Sequence, residues 1–395
     1  MAEDMGREHF IPIRQRELLA LLLRDIGGEK AECDQLRRLH SLLASVFHHE
    51  FHSLLNELKD HYAPFDPDLG SIHSSAPPAA AEPFLERFTF LMERANFHRL
   101  TLDEIKATAN GVSAWGLNMD VDFGIFEMLE VYVRGDTVGS RPIRHWYRFW
   151  RKREIAFPKF TRLVLLVKLR PSKRVPAEID TTRIYLKLFK DIPTMDIEML
   201  FPGAYLKMPA FNRVQLGSSL IGSGAWIAYN LLHEILAIAR FSSNIILGPA
   251  IALLGYGYKQ WYGYQSTRNH FYLRLTQSLF YQTLGSNQTV LSVILDEAEE
   301  QECREAILGY YYLWRHAGAT GWTAAELDTF VENDIERLAG LKVDFEIKDA
   351  LSKLERLKLV RRAGDRLIAE PIDAAIKSLG NAWTAFAIVP EPRTQ

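Results

Sequence analysis

Cysteine is scarce: Cys33 and Cys303 are the only two in 395 residues. Two distant thiols build neither a disulfide framework nor a thiolate zinc site, and they fit a reducing compartment. An excess of charge is also missing. The chain has 47 Lys and Arg against 49 Asp and Glu, a net charge of −2. No global field therefore draws in nucleic acid or acidic lipid. No Gly-x-Gly-x-x-Gly follows a strand, and there is no Walker loop and no Gly-x-Ser-x-Gly elbow. Dinucleotide binding, P-loop chemistry and the nucleophile elbow thus have no signature. "GSSLIGSG" (217–224) is Gly/Ser-rich but opens onto an apolar helix, so it reads as an entry to that helix. A cleaved targeting segment is not expected, because Glu3, Asp4 and Glu8 crowd the first residues. No internal repeat is visible.

What is present is material for cores: 48% hydrophobic residues, with 22 Phe, 15 Tyr and 8 Trp. The pattern predicts an α+β protein. Residues 9–61 repeat apolar positions at helical steps, with Leu36, Leu39, Leu43, Phe47, Leu54 and Leu58 on one face. "TLDE" (101–104) and "TAAE" (323–326) read as capping boxes. The period changes to two in "IFEMLEVYVRGD" (125–136), "FTRLVLLVKLRP" (160–171) and "TRIYLKLFKDIP" (182–193). "HWYRFWRKREIAF" (145–157) reads as a further strand, and "AYLKM" (204–208) as one that closes a small antiparallel sheet. "STRNHFYLRLTQSLFYQTL" (266–284) reads as helix, as does 290–316. Helices at 324–338 and 346–358 and a two-strand wing turning at Ala363-Gly364-Asp365 have the order of a winged-helix domain. The expected division is an N-terminal helical region (1–112), a small antiparallel β-sheet region (113–210), a two-helix transmembrane hairpin (218–262), a helical connector (265–316) and a winged-helix-like domain (317–385).

The hairpin expectation rests on length. Residues 220–239 and 241–262 each reach the roughly 20 apolar residues of a spanning helix. The first is interrupted by Asn230, His233 and Glu234. Glu234 alone costs about 3 kcal/mol at a bilayer centre, roughly what eight Leu and Ile return. A polar stripe facing a partner helix, and small residues Gly248, Ala250, Gly255 and Gly257 for close approach, favour insertion. Lys207, Arg213, Lys259 and Arg268 outside, against Arg240 in the turn, place both termini in the cytoplasm. The alternative is a buried helical hairpin in a soluble protein.

Seven stretches carry a resemblance: "HFIPIRQRELL" (9–19), "YAPFDPD" (62–68), "LDEIKATANG" (102–111), "MDVDFGIFEMLEVYVRG" (119–135), "LKLFKDIPTMDIEMLFPG" (186–203), "SLFYQTLGSN" (278–287) and "LDEAEEQECREAILGYYYL" (295–313). Together they resemble the transmembrane protein 143-like family, a family whose domain has no known function. The resemblance implies a membrane hairpin at 218–262. It implies a bacterial cytoplasmic-membrane protein, or a mitochondrial one in a eukaryote. It brings no activity and no catalytic residues.

Candidate chemistry is thin. "FHHEFH" (47–52) puts His48 and His52 four apart, but His49 fills the zincin glutamate position and Glu50 falls one place late. "HEILA" (233–237) ends in Ala where a second His is needed. Both read as polar helix positions. "MDVDF" and "FEMLE" gather Asp120, Asp122, Glu127 and Glu130, and "KDIPTMDIEM" adds Asp191, Asp196 and Glu198. Paired carboxylates bind a divalent cation or move protons. Asp122, Glu127, Asp191, Asp196 and Glu198 are therefore the candidate catalytic residues. Their alternative is as strand-end caps, turn residues and partners of Lys187 and Lys190. From Lys342 to Arg366 acids interleave with bases, which disfavours nucleic acid.

The functional expectation is a membrane-anchored, non-enzymatic scaffold or adaptor with a cytoplasmic α+β body. Its partners would be the lipid bilayer and proteins, including a second copy held through the hairpin. No cofactor and no resident metal are expected. The alternatives are a membrane-bound metal-dependent enzyme using the central carboxylates, and a membrane-tethered nucleic-acid binder.

Overall fold

The computed structural model describes residues 10–69, 80–109, 118–144, 152–172, 178–203, 205–207, 280–340, 342–345 and 347–387, with Gly255, Tyr258 and Tyr262. Two helices open the chain, α1 (Gln15–Asp25) and α2 (Lys30–Tyr62). The apolar stripe of α2 is buried from Leu36 through Leu58. α2 gives way after Tyr62 to a single 3-10 turn, Ala63–Phe65, with Pro64 in its first positions. α3 (Glu82–Arg94) carries Pro83 in its first turn, where no N–H is needed, and buries Phe84, Phe88, Leu91 and Met92.

The middle of the chain is β1 (His98–Leu100), α4 (Leu102–Ala109), β2 (Asn118–Asp120), β3 (Phe126–Arg144), β4 (Lys152–Leu169), β5 (Ile184–Pro193), a 3-10 turn (Thr194–Leu200), β6 (Tyr205–Lys207) and β7 (Thr283–Ser286). Thr101 and Glu104 cap α4 reciprocally: the Glu104 carboxylate accepts from the Thr101 N–H at 2.7 Å, and the Thr101 hydroxyl accepts from the Glu104 N–H at 3.3 Å. The main sheet has the order β1-β3-β4-β5-β7, every neighbour antiparallel. Alternation along its strands builds two apolar faces. Tyr132, Val164, Leu166, Ile184, Leu186 and Leu188 join the core shared with the helices. Val131, Val133, Leu163, Leu165, Val167 and Phe189 form a second core with Ile105 of α4, Ile197 of the 3-10 turn and Phe201.

Three strand and helix expectations change. "AYLKM" does not close the sheet: Tyr205–Lys207 pairs with β2 as a separate ladder. "HWYRFWRKREIAF" is not a separate strand in its described part, because Lys152 to Phe157 is the outer end of β4; residues 145–151 lie outside the described residues. At the end of the expected helix 266–284, Thr283 and Leu284 pair instead as strand β7. β3 and β4 also run far past their neighbours. β1 reaches only Val133 and β5 only Lys159, yet β3 and β4 pair on to Arg144 opposite Lys152.

The remaining elements are α5 (Gln288–Arg315), α6 (Ala324–Ala339), α7 (Ile347–Arg356), β8 (Val360–Ala363), β9 (Arg366–Ala369) and α8 (Ile372–Ala387). Thr323 and Glu326 close a capping box on α6. Gly364, at φ +68°, makes the turn between β8 and β9. α8 returns to pack along α2, where the Gln35 side-chain amide donates to Asp373 at 2.8 Å.

The transmembrane hairpin, and with it the integral-membrane localisation, requires correction. Among the described residues no helix is long and apolar enough to cross a membrane. Residues 218–262 lie outside the described residues, apart from Gly255, Tyr258 and Tyr262, which are helical and exposed. The physical weakness is already in the first segment. Asn230, His233 and Glu234 offset what its aliphatic residues would gain in lipid.

Asn287 holds the junction of sheet and helices. Its φ is +51°, which strains a residue with a side chain. Its N–H donates to Leu186 O at 2.9 Å. Its side-chain oxygen accepts from Leu186 N at 3.3 Å and from the Tyr62 hydroxyl at 3.4 Å, and its amide donates to Asp68 at 2.8 Å. Asn287→Ala keeps the strain and removes all three side-chain bonds. Urea denaturation should show a loss of about 2–4 kcal/mol. Asn287→Gly should recover part of it, because glycine relieves the backbone alone.

Candidate functional site

The five candidate carboxylates do not converge. Glu127, at the start of β3, accepts from Lys168 Nζ at 2.7 Å. Asp191, near the end of β5 with φ +53°, accepts from Lys159 Nζ at 2.5 Å. Lys159 lies near the middle of β4 and Lys168 near its end, about 30 Å apart at strand rise. Asp122, Asp196 and Glu198 lie in the layer over the second face of the sheet. Asp122 caps the turn Phe123–Ile125, accepting from Gly124 N at 3.0 Å. Asp196 and Glu198 share the 3-10 turn, each 8% exposed, against α4. Each of the five therefore has a partner. Of the two others gathered with them, Asp120 sits on β2 opposite Tyr205. Glu130 pairs with Arg99 at 2.9 Å and accepts from the Tyr132 hydroxyl at 2.7 Å.

The histidine motif is equally engaged. His48 meets Glu299 at 3.2 Å and stacks on His52 with ring centroids 6.0 Å apart. Glu50 accepts both guanidinium nitrogens of Arg356 at 2.6 and 3.0 Å, tying α2 to α7. Among the described residues no three His, Cys, Asp or Glu side chains converge to hold a metal ion. His233 and Glu234 lie outside the described residues. Cys303 is fully buried, and burial pushes its thiol up to about 12, so it holds no thiolate near neutrality.

The densest charge cluster was not singled out from sequence. α5 buries Gln301, Glu302, Arg304 and Glu305 to within 2% exposure. Arg94 of α3 grips Glu302 at 2.5 and 2.7 Å while its guanidinium lies 4.3 Å from the Phe51 ring. Lys353 of α7 donates to Glu305 at 2.9 Å and to Asp349 at 2.5 Å, with Glu302 at 3.8 Å. Gln301 donates to Glu305 at 2.6 Å and accepts from Ile11 N at 3.1 Å. Arg304 donates to Ile13 O at 2.9 Å and to Glu300 at 3.0 Å. Arg134 of β3 donates to Ala95 O at 2.9 Å and to Glu297, which also takes Arg162 at 3.0 Å. Arg134 and Arg304 both contact the Phe10 ring. A signal existed: in "LDEAEEQECREA" charges fall on every side of a helix, so a buried helix there must bury some of them.

Burial pushes Glu305 up to about 7, against the opposing pull of the Lys353 ammonium. For Lys353 burial acts downward, but Glu305, Glu302 and Asp349 together outweigh it and hold the ammonium above the usual lysine value. These groups clamp helices together. Nothing in their arrangement opens to a substrate.

Residues 160–289 match the family model described as "Protein of unknown function (DUF3754)". The match spans most of β4, β5, the 3-10 turn, β7 and the first residues of α5, and it includes Asp191, Asp196 and Glu198. No solved structure matches the chain.

The Glu305 value has a measurable sign. A carboxyl raised in the folded chain keeps its proton where the unfolded chain has already released it. Its contribution to stability is therefore full below the ordinary glutamate value and is lost as pH rises toward 7. Relative to Glu305→Gln, the native chain should lose on the order of 2 kcal/mol between about pH 5 and pH 7. Urea unfolding at the two pH values measures this. A constant gap between the two proteins would rule it out.

The chain carries a domain of a family without assigned function, at residues 160–289.

Proposed function

We infer that the protein works by holding partners, as a non-enzymatic scaffold or adaptor. The β3–β4 ribbon supports this reading most. Past Thr137 and Lys159 it runs clear of β1 and β5, and among the described residues no other strand pairs with it. A lone two-stranded ribbon is marginal in water. Its outer rungs pair Arg144 with Lys152 and Ile143 with Arg153 in backbone register. In sequence, Arg141, Arg144, Arg148, Arg151, Lys152 and Arg153 follow one another with no carboxylate among them. Such an arm costs stability in the isolated chain and gains from an acidic protein surface. The likeness to the transmembrane protein 143-like family is part of this reading. Two of its seven stretches, 186–203 and 278–287, fall inside the matched residues.

A second reading is a metal-assisted enzyme centred on Asp196 and Glu198, favoured by their joint burial on one turn. The two separate in one experiment. Native-gel migration of the endogenous chain reports its assembly, and a knockout complementation assay reports its activity in the cell. On the scaffold reading, replacing Arg141, Arg144, Lys152 and Arg153 by Gln abolishes the assembly and complementation. Asp196→Asn and Glu198→Gln leave both intact. Complementation lost only with the carboxylates, together with stoichiometric metal in the purified native protein, selects the enzyme.

A further inference from the structure

Among the described residues the second face of the sheet is only partly covered. Leu165, Val167 and Leu169 of β4 and Tyr185, Lys187 and Phe189 of β5 line a cleft of about 430 Å³. Its far wall is the stretch from Met199 to Pro202, and Thr283 of β7 stands at its edge. That volume lies within the roughly 300–1,000 Å³ of small-ligand clefts. All of the lining residues fall within 160–289, the segment that matches the family model.

The lining is apolar but for a few groups, and one of them is a cation. Lys187 sits opposite Leu165 on one side and Ser286 on the other. Its ammonium donates to the Ser286 hydroxyl at 2.6 Å. Among the described residues it pairs with no carboxylate. Lys159, Lys168 and Lys353 differ, since each meets an acid within 3 Å. A half-buried ammonium with only a neutral partner is poorly compensated. The ligand that completes this site carries an anion for Lys187 and an unbranched apolar body for the strand side chains.

We propose that this cleft is a binding site for a single-chain amphiphile with an anionic head, such as a long-chain carboxylate. The head pairs with Lys187, and the tail lies along Leu165, Val167 and Phe189 toward Phe201. The site is independent of the partner-holding arm.

The test uses the full chain, stripped of lipid and titrated calorimetrically with dodecanoate below its micelle threshold. Dodecanol serves as the uncharged comparison. Saturable one-to-one binding of dodecanoate is expected. Lys187→Gln should weaken it about ten-fold while leaving dodecanol within about two-fold, the loss of one charge-assisted contact. Decanoate should bind more weakly by about four-fold per methylene removed. Leu200→Trp, which fills the cleft from its rim, should abolish binding of both ligands and gives a second route if Lys187→Gln folds poorly. The proposal is overturned if native protein shows no saturable binding, if Lys187→Gln weakens both ligands equally, or if Leu200→Trp still binds.

Discussion

A helix carrying charges on every side has been placed in the middle of the molecule, and most of the structure follows from satisfying it. α5 begins at Asn287 on the sheet edge and ends between α1 and α6. There the Tyr311 hydroxyl donates to Asp25 at 2.7 Å and that of Tyr312 to Asp334 at 2.6 Å. Between these ends it meets the chain from Phe10 to Ile13, α3, β3, β4 and α7, each through a named side chain. Removing one member of a buried ion pair costs about 3–5 kcal/mol, because the other is left charged and dry. The pairs therefore specify one arrangement of the helices more than they add net stability. Apolar contacts around the same helix supply the driving force.

This clamp acts on one face of the sheet only. That face is sealed by α2, α3 and α5, and the hydroxyls that enter it are held: Tyr62 donates to Ile184 O at 2.7 Å and Tyr132 to Glu130 at 2.7 Å. Among the described residues the opposite face has a thinner cover of one short helix, a 3-10 turn and a two-stranded ladder. The consequences are a cleft over β4 and β5 and two strands that outrun their neighbours. Both features lie away from the buried ion pairs, so the rigid body can present them without being rebuilt.

Periodicity made much of this legible. The stripe on α2, the capping boxes at Thr101 and Thr323 and the wing turn at Gly364 were readable because local chemistry alone decides them. The length of β3 and β4 was not. Beyond the reach of β1 and β5 their residues, such as Ser140, Arg141 and Pro142, show no apolar alternation in sequence. β7 was hidden because "TLGS" carries no strand pattern and is held by Asn287 rather than by its own propensity. The carboxylates are closer in sequence than in the fold. Asp191 and Asp196 are five residues apart, yet one ends a strand on a positive φ and the other is folded into a turn. The hairpin was expected with the cost of Glu234 already counted; the polar stripe and the small residues were weighed above it, and no helix among the described residues is long and apolar enough to span.

Charge compensation separates the remaining possibilities for this domain. A cation entering at Glu127 or Asp191 must first displace Lys168 or Lys159, so the ion pair already formed is subtracted from its affinity. An anion entering beside Lys187 displaces only a hydroxyl, which keeps its other hydrogen-bonding capacity. On this comparison the cleft beside Lys187 takes up negative charge at a lower cost than Glu127 or Asp191 would take up a cation.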